Sequence, residues 1–344
     1  MEKMVNRQFR LKRRPVGRVQ PTDFDLVETR VPEPGPGEVL VRVLYLSIDP
    51  TQRIWMDTID QYMPPVAIGE VMRGGGIGRV IASQSPKFQV GDLVTGSFGW
   101  QDFCCLAADD QSAARVVRVP GDLPIPLPAM LGVCGLTGLT AFFGLTEVAV
   151  PKPGETVVVS AAAGAVGSVA AQIAKLKGCR TVGIAGGPRK CAWLTDQLGL
   201  VAAVDYKQPD WRDALADATP GGVDVDFENV GGDIMEAVMG RMNIGGRMAL
   251  CGMISRYNEC GSMPANFAPI LMRRIRVQGF IVIDYLPRFA EGAKQLAQWV
   301  IAGQIKHRET IVDGLEHAPA ALNRLFDGDN IGKLMVKVAD PAVQ

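Results

Sequence analysis

The chain has 344 residues, 47% of them hydrophobic, with 36 basic side chains balanced by 36 acidic ones. That length exceeds one ordinary domain and fits about two; the even charge supplies no field for nucleic acid, and no apolar run of about 18 residues is present to form a membrane span. Seven cysteines without a C-x-x-C pair read as free thiols of a reducing cytoplasm, and two histidines, His307 and His317, do not supply the clustered ligands a catalytic zinc uses.

The basic start, Met1 to Pro15, has no apolar segment behind it and reads as an exposed first strand rather than a secretory signal. Glu38–Ser47, "EVLVRVLYLS", is a strand rich in Val and Leu, and "GGIGRVIAS" and "VGDLVTGSFGW" are further short β-prone runs broken by Gly, Pro and Asp. The first third therefore predicts an irregular β-domain or barrel. From Leu131 the character changes, with "LGVCGLTGLTAFFGLTEVA" at helical spacing. Strand and helix then alternate. "ETVVVSA" and "CRTVGIAG" read as strands, each followed by a helix, "VGSVAAQIAKLKG" ending at Gly178 and "PRKCAWLTDQLG" with Pro188 first and Gly199 after it. "VDVDFENVG", "GRMALCG" and "IRVQGFIVID" predict later strands of a parallel sheet built from βαβ units. The last of these could pair at a sheet edge or lie inside the sheet. The tail, "ETIVDGLEHAPAALNRLFDGDNIGKLMVKV", returns to strand, helix and strand and could complete the first domain.

The turn after the first of these strands nearly matches G-x-G-x-x-G. Ala162 stands at the first glycine, while Gly164 and Gly167 keep the close approach to a pyrophosphate and the helix–strand packing. A methyl group is tolerable at that first position if the turn opens slightly. The helix behind it points its N–H groups and positive dipole end at the phosphates. An NAD site places an acid at the end of the next strand. Gly186, Gly187, Pro188, Arg189 and Lys190 stand there instead. Two cations set against the local helix dipole favour the 2′-phosphate of NADP(H).

Several strings, "NRQFRLKRRPVG", "LSIDPTQR", "GEVMRGGGIGRV", "AAAGAVGS", "FENVGG", "CGMISRYN" and "GDNIGK", occur in order over nearly the whole length. With them the chain resembles the zinc-independent medium-chain dehydrogenase/reductases, in the branch of prostaglandin reductase, plant double-bond reductase and bacterial curcumin reductase. The resemblance implies an α/β protein. A Rossmann doubly wound parallel sheet spanning residues 132–303 would be inserted into a β-rich, GroES-like catalytic domain made of residues 1–131 and 304–344. It implies an enzyme, a homodimer in many relatives, that uses NADPH to reduce the double bond of α,β-unsaturated aldehydes or ketones without zinc.

The resemblance also assigns residues. Ala163, Gly164, Ala165, Val166 and Gly167 would form the phosphate loop, with Gly187, Arg189, Lys190 and Tyr206 around the 2′-phosphate. Asn229 and Asn330 would reach the cofactor by hydrogen bonds. Cys251, Gly252, Met253, Ser255 and Tyr257, with a strand through Phe280, Ile281 and Val282, would flank the nicotinamide half. Hydride addition to the β-carbon leaves an enolate that needs a hydrogen-bond donor at oxygen and a proton at the α-carbon. A phenol, neutral at pH 7, can serve either need, which makes Tyr257 the candidate catalytic residue. Trp55, Met56, Tyr62, Trp100 and Tyr285 are candidates for the substrate pocket. After Asp49 and Pro50, Thr51-Gln52-Arg53 departs from the branch. Two other readings stand beside this one: an NADPH:quinone reductase on the same fold, and an NADPH-binding protein without turnover.

Overall fold

The computed structural model describes residues 5–59, 61–112, 114–121, 123–258 and 266–341. The chain divides into two compact units. One takes the chain up to Leu131, then Glu309–Asn330 and the residues from Leu334 on; the other takes Gly132–Arg308 and Ile331–Lys333.

In the first unit β1 (Val5–Leu11) and β2 (Phe24–Arg30) pair antiparallel as a separate ribbon. The basic side chains of this start are anchored, with Arg7 bound to Asp102 and Arg13 to Asp23. The main sheet is built on β3 (Glu38–Ser47), followed by β4 (Gly75–Ser83), β5 (Leu93–Ser97), β6 (Phe103–Ala107) and β7 (Val117–Arg118). The Val and Leu residues of β3 form a nearly continuous apolar run because both of its faces are covered. Val39, Val41, Val43 and Leu46 join the cluster with Phe9, Leu11 and Trp100, while Leu44 and Tyr45 pack with Ile77 and Leu131.

The second unit holds β8 (Thr156–Val159), β9 (Arg180–Ala185), β10 (Ala202–Asp205), β11 (Val223–Glu228), β12 (Met242–Leu250) and β13 (Arg276–Gly279). All the pairings are parallel, in the order β10-β9-β8-β11-β12-β13. This is the doubly wound arrangement, in which strand order reverses between β8 and β11. Ligands of such sheets bind beyond the strand ends at that reversal. Full burial of Thr156 to Val159 explains why β8 shows no alternation. The chain then returns to the first unit, where β14 (Glu309–Asp313) and β15 (Lys333–Lys337) complete a sheet of order β14-β15-β3-β4-β5-β7, with β6 also on β3.

One predicted strand is shorter than the sequence suggests. Of "IRVQGFIVID" only Arg276–Gly279 is strand, and Val282–Arg288 winds into a 3-10 helix, so Phe280, Ile281 and Val282 lie beyond the strand. The reason is the ladder: β12 ends at Leu250, whose partner is Gly279, so Phe280 finds no backbone to pair with. The strand is an edge of the sheet. Two predicted helices are also trimmed or divided. The segment from Leu131 becomes regular only at Leu136–Phe143, and Pro188–Ala192 widens into a looser turn at Trp193–Gln197. No helix among the described residues is long and apolar enough to cross a membrane.

Candidate active site

The loop after β8 is shaped by contacts that its own sequence does not show. Ala161 adopts the left-handed conformation at φ 47°, so the strain falls one residue before the missing glycine. Ala162 is fully buried and donates its N–H to Ile184 O at 3.0 Å. Its methyl is accommodated by Gly183 on β9 rather than by an opened turn: a Cβ at Gly183 would come within 2.8 Å of it. Gly167 opens the helix Ala165–Leu176 against the turn, and a side chain there would drive into Ala161 O. Gly164 caps that helix, pairs as an isolated bridge with Gly332, and neighbours Ala163, whose carbonyl accepts Gly332 N–H at 2.8 Å. The result is a narrow cradle of backbone at the N-terminus of a twelve-residue helix, which fits a pyrophosphate.

At the end of β9, Gly187 (φ 93°) starts the turn that carries Arg189, exposed, and Lys190, half-buried. The turn is held by Asp205 at the end of β10, whose Oδ1 accepts the N–H groups of Gly187 at 2.7 Å and Lys207 at 3.1 Å. Burial acts to raise the Asp205 pKa, but these bonds, with those from Gln208 and the Lys207 charge, hold it below the ordinary carboxylate value. It is a turn organiser. Tyr206 lies beside Gly186, where a Cβ would approach its ring to 3.0 Å; burial, then the Asp205 charge, raise its pKa and keep the phenol neutral. Gly187, Arg189 and Lys190 thus follow β9, and Tyr206 follows β10, its neighbour in the sheet.

A second cluster stands at the ends of β11 and β12. Asn229 donates its side-chain amide to Ser160 O at 2.7 Å, and its backbone N–H goes to Ser160 Oγ at 2.7 Å, so β11 is tied to the start of the loop after β8. Glu228 O accepts the N–H groups of Cys251 at 2.9 Å and Gly252 at 3.1 Å, and Ser255 Oγ donates to Val230 O at 2.6 Å. Those bonds fix the segment Cys251–Tyr257 over the strand ends. Burial foremost, then the Glu228 charge, push the Cys251 thiol up to about 12, so it stays neutral. The Tyr257 oxygen accepts Met253 N–H at 3.3 Å and would lie 3.2 Å from a Cβ at Gly252. A phenol can accept one such bond and donate its own proton in another.

The substrate candidates separate. Trp55 and Tyr62 stay together, Trp55 Nε1 donating to Tyr62 Oη at 3.2 Å. Met56 and Trp100 are fully buried in the core of the first unit, where Trp100 packs edge-on against Phe9 and tilted against Phe24. Their apolar bulk serves packing there. In the second unit Tyr285 stacks on Phe143 at 4.7 Å and Phe280 meets Phe227 edge-on at 6.2 Å. Asn330 stands two residues before Gly332 and belongs to the first unit.

Sequence reasoning missed Ser160, Gly183, Asp205, Glu228 and Gly332. Two of them lay inside the strings quoted for the resemblance, Glu228 in "FENVGG" and Gly332 in "GDNIGK". Among the described residues no three His, Cys, Asp or Glu side chains converge as metal ligands. The six described cysteines are free, and Cys260 lies outside the described residues.

Family comparison places these features in context. Residues 7–116 match the family described as the N-terminal domain of oxidoreductase, and residues 165–299 match the family described as zinc-binding dehydrogenase. The chain is 43% identical over 345 aligned positions to the NADPH-dependent curcumin reductase of Escherichia coli, covering 98% of each. It is 39% identical to the NADP(+)-dependent 2-alkenal reductase of Nicotiana tabacum, over 98% of this chain and 99% of that protein. Among solved structures, CurA of Vibrio vulnificus in complex with NADPH superposes with a TM-score of 0.91 at 42% identity, covering 97% of this chain and 100% of that one.

Proposed function

The chain belongs to the medium-chain dehydrogenase/reductases, in the branch of the curcumin, alkenal and prostaglandin reductases, and on that premise we propose that it is an NADPH-dependent double-bond reductase. Its substrates are α,β-unsaturated ketones and aldehydes, reduced without zinc. The observation that carries the reading is the Tyr257 hydroxyl, oriented by Met253 N–H over the ends of β11 and β12. The whole-length likeness to an NADPH-dependent curcumin reductase supports the same reaction class.

The cradle fits the cofactor: Gly164 and Gly167 let the turn close tightly against Ala161 at the helix N-terminus, and two cations follow the neighbouring strand. In this reading Ala163 to Gly167 receive the pyrophosphate and Gly187, Arg189, Lys190 and Tyr206 the 2′-phosphate. Asn229, Cys251, Gly252, Met253, Ser255, Phe280, Ile281 and Val282 surround the nicotinamide half, and Asn330 adds a hydrogen bond. When bound, NADPH supplies the hydride. The chain's own part is electrostatic: the neutral phenol of Tyr257 donates to the substrate oxygen as negative charge develops there, and it is a proton source for the enolate. Trp55 and Tyr62 offer apolar surface for the substrate body.

The exposed edge strand β13, with Val277 and the neighbouring Phe267, Leu271 and Met272 all exposed, supports a homodimer. A cytoplasmic setting agrees with free thiols. NADPH oxidation followed at 340 nm with a panel of enals, enones and quinones tests the activity. Turnover of enals and enones supports the proposal, and turnover of quinones alone refutes it. Sedimentation velocity tests the dimer.

A further inference from the structure

Glu228, the last residue of β11, is fully buried, yet nothing in the reaction so far uses its carboxyl group. Its Oε1 accepts the N–H groups of Val230 at 2.5 Å and Gly231 at 2.6 Å. Oε2 has no hydrogen-bond partner among the described residues. The two N–H groups belong to a turn with Gly231 at φ 77° and Gly232 at φ 56°, a conformation open to glycine at little steric cost. One carboxylate oxygen gathers that turn, and a charged acceptor makes bonds about twice as strong as a neutral one.

The segment that carries Tyr257 stands on this turn. Asn229 O accepts Ile254 N–H at 3.1 Å, and Val230 O accepts both Ser255 N–H at 3.0 Å and Ser255 Oγ at 2.6 Å. Glu228 therefore holds residues 251–257 twice, through its own carbonyl and through the turn its carboxylate gathers. The titratable groups facing the carboxyl are both acids, Asp226 on the same strand and Cys251 beyond the end of β12. Burial foremost, then the Glu228 charge, raises the pKa of each and keeps it neutral. Burial also raises the Glu228 pKa, to about 7, against the opposing pull of the Gly231 and Val230 N–H groups and the Ser160 hydroxyl. A proton arriving there has no acceptor at Oε2 and leaves Oε1 a weaker, neutral acceptor.

We propose that Glu228 is a positioning residue for the reduction: its buried carboxylate, acting through the turn at residues 229–232, fixes the segment that presents the Tyr257 hydroxyl, and protonation of that carboxylate loosens it. The inference rests on the reductase reading and adds a residue that works through Tyr257. The ionised form is the competent one, so activity is gained as the pH rises through neutrality.

Amide hydrogen exchange of residues 229–257, without cofactor, compares the wild type with Glu228→Gln, whose side chain keeps the shape and an acceptor but not the charge. The ratio at each pH cancels the intrinsic pH dependence of exchange. The wild type is expected to be about tenfold better protected near pH ~8, with the ratio falling toward one near pH ~6. Over the same interval kcat for trans-2-hexenal at saturating NADPH is expected to rise about tenfold in the wild type and to stay flat in Glu228→Gln. Ser160→Ala, which removes a bond favouring the charged form, moves the midpoint of that rise to higher pH, a shift that a merely structural role would not produce. A wild-type profile without the rise, a rise that survives Glu228→Gln, an unmoved midpoint in Ser160→Ala or an exchange ratio independent of pH each overturns the inference. Failure to oxidise NADPH with any enal or enone sinks the reductase reading instead, and the exchange ratio still decides whether the carboxylate holds the segment.

Discussion

Replacing Asp226 with valine is expected to stabilise the protein, and to do so more as the pH rises. Its carboxyl is fully buried in the middle of β11, with Val158 and Met248 as cross-strand neighbours, in a face completed by Ile234 and Val238. Neither carboxyl oxygen has a hydrogen-bond partner among the described residues. Burial foremost, then the charge of Glu228 two residues on, drives its pKa well above the ordinary aspartate value. An unfolded aspartate ionises near pH ~3.9, so above that pH folding must return a proton to the chain. The penalty is absent below the unfolded pKa, grows by up to about 1.4 kcal/mol per pH unit above it, and levels off once the pH passes the folded value. Valine carries no proton, fills similar space and suits a strand. Removal of an unpartnered buried polar group is worth about 1–3 kcal/mol, and the pH-dependent part adds to it near neutrality. Urea unfolding followed by far-UV circular dichroism, at several values from about pH 5 to about pH 8, measures the difference. Asp226→Asn is the control: it keeps the polar group but cannot titrate, so its gain should carry the pH slope without the full neutral-pH benefit. A valine variant that is less stable than wild type, or whose advantage is flat across that range, would refute the reasoning.

Other substitutions probe the site. Tyr257→Phe should lower kcat for enones by roughly 100-fold, the usual worth of a positioned acid, with KM for NADPH unchanged; an unaltered kcat would remove Tyr257 from the chemistry. Arg189→Ala with Lys190→Ala should raise KM for NADPH by about tenfold or more while leaving KM for NADH nearly constant, since the charge-assisted bonds proposed for both cations go to the 2′-phosphate alone. Equal losses with both nucleotides would contradict that assignment. Gly183→Ala should destabilise by about 1–3 kcal/mol through overpacking against Ala162 and Leu194, and adding Ala162→Gly should recover part of the loss. A double-mutant cycle without coupling would mean that Gly183 does not make the room.

Much of the fold was legible because strands such as Glu38–Ser47 and Thr156–Val159, and the helix Ala165–Leu176, declare themselves within a short window of residues. The glycine turn after β8, the two cations after Gly187 and the reductase resemblance could be read in the same way, since each depends on neighbours along the chain. The tertiary structure decided what depends on neighbours across it. Ala162 is tolerable because β9 brings Gly183 beside it, 21 residues on in sequence; the "IRVQGFIVID" strand stops at Gly279 because β12 stops at Leu250. Trp55 and Trp100 look alike as isolated aromatics, yet one carries Arg73 and the other fills a core. Asp226 looks like one more acid of an alternating strand until the register sets it between Val158 and Met248. Local spacing reports which backbone a segment prefers, whereas register and packing alone determine which side chains share a dry space, and with it their charge and their chemistry.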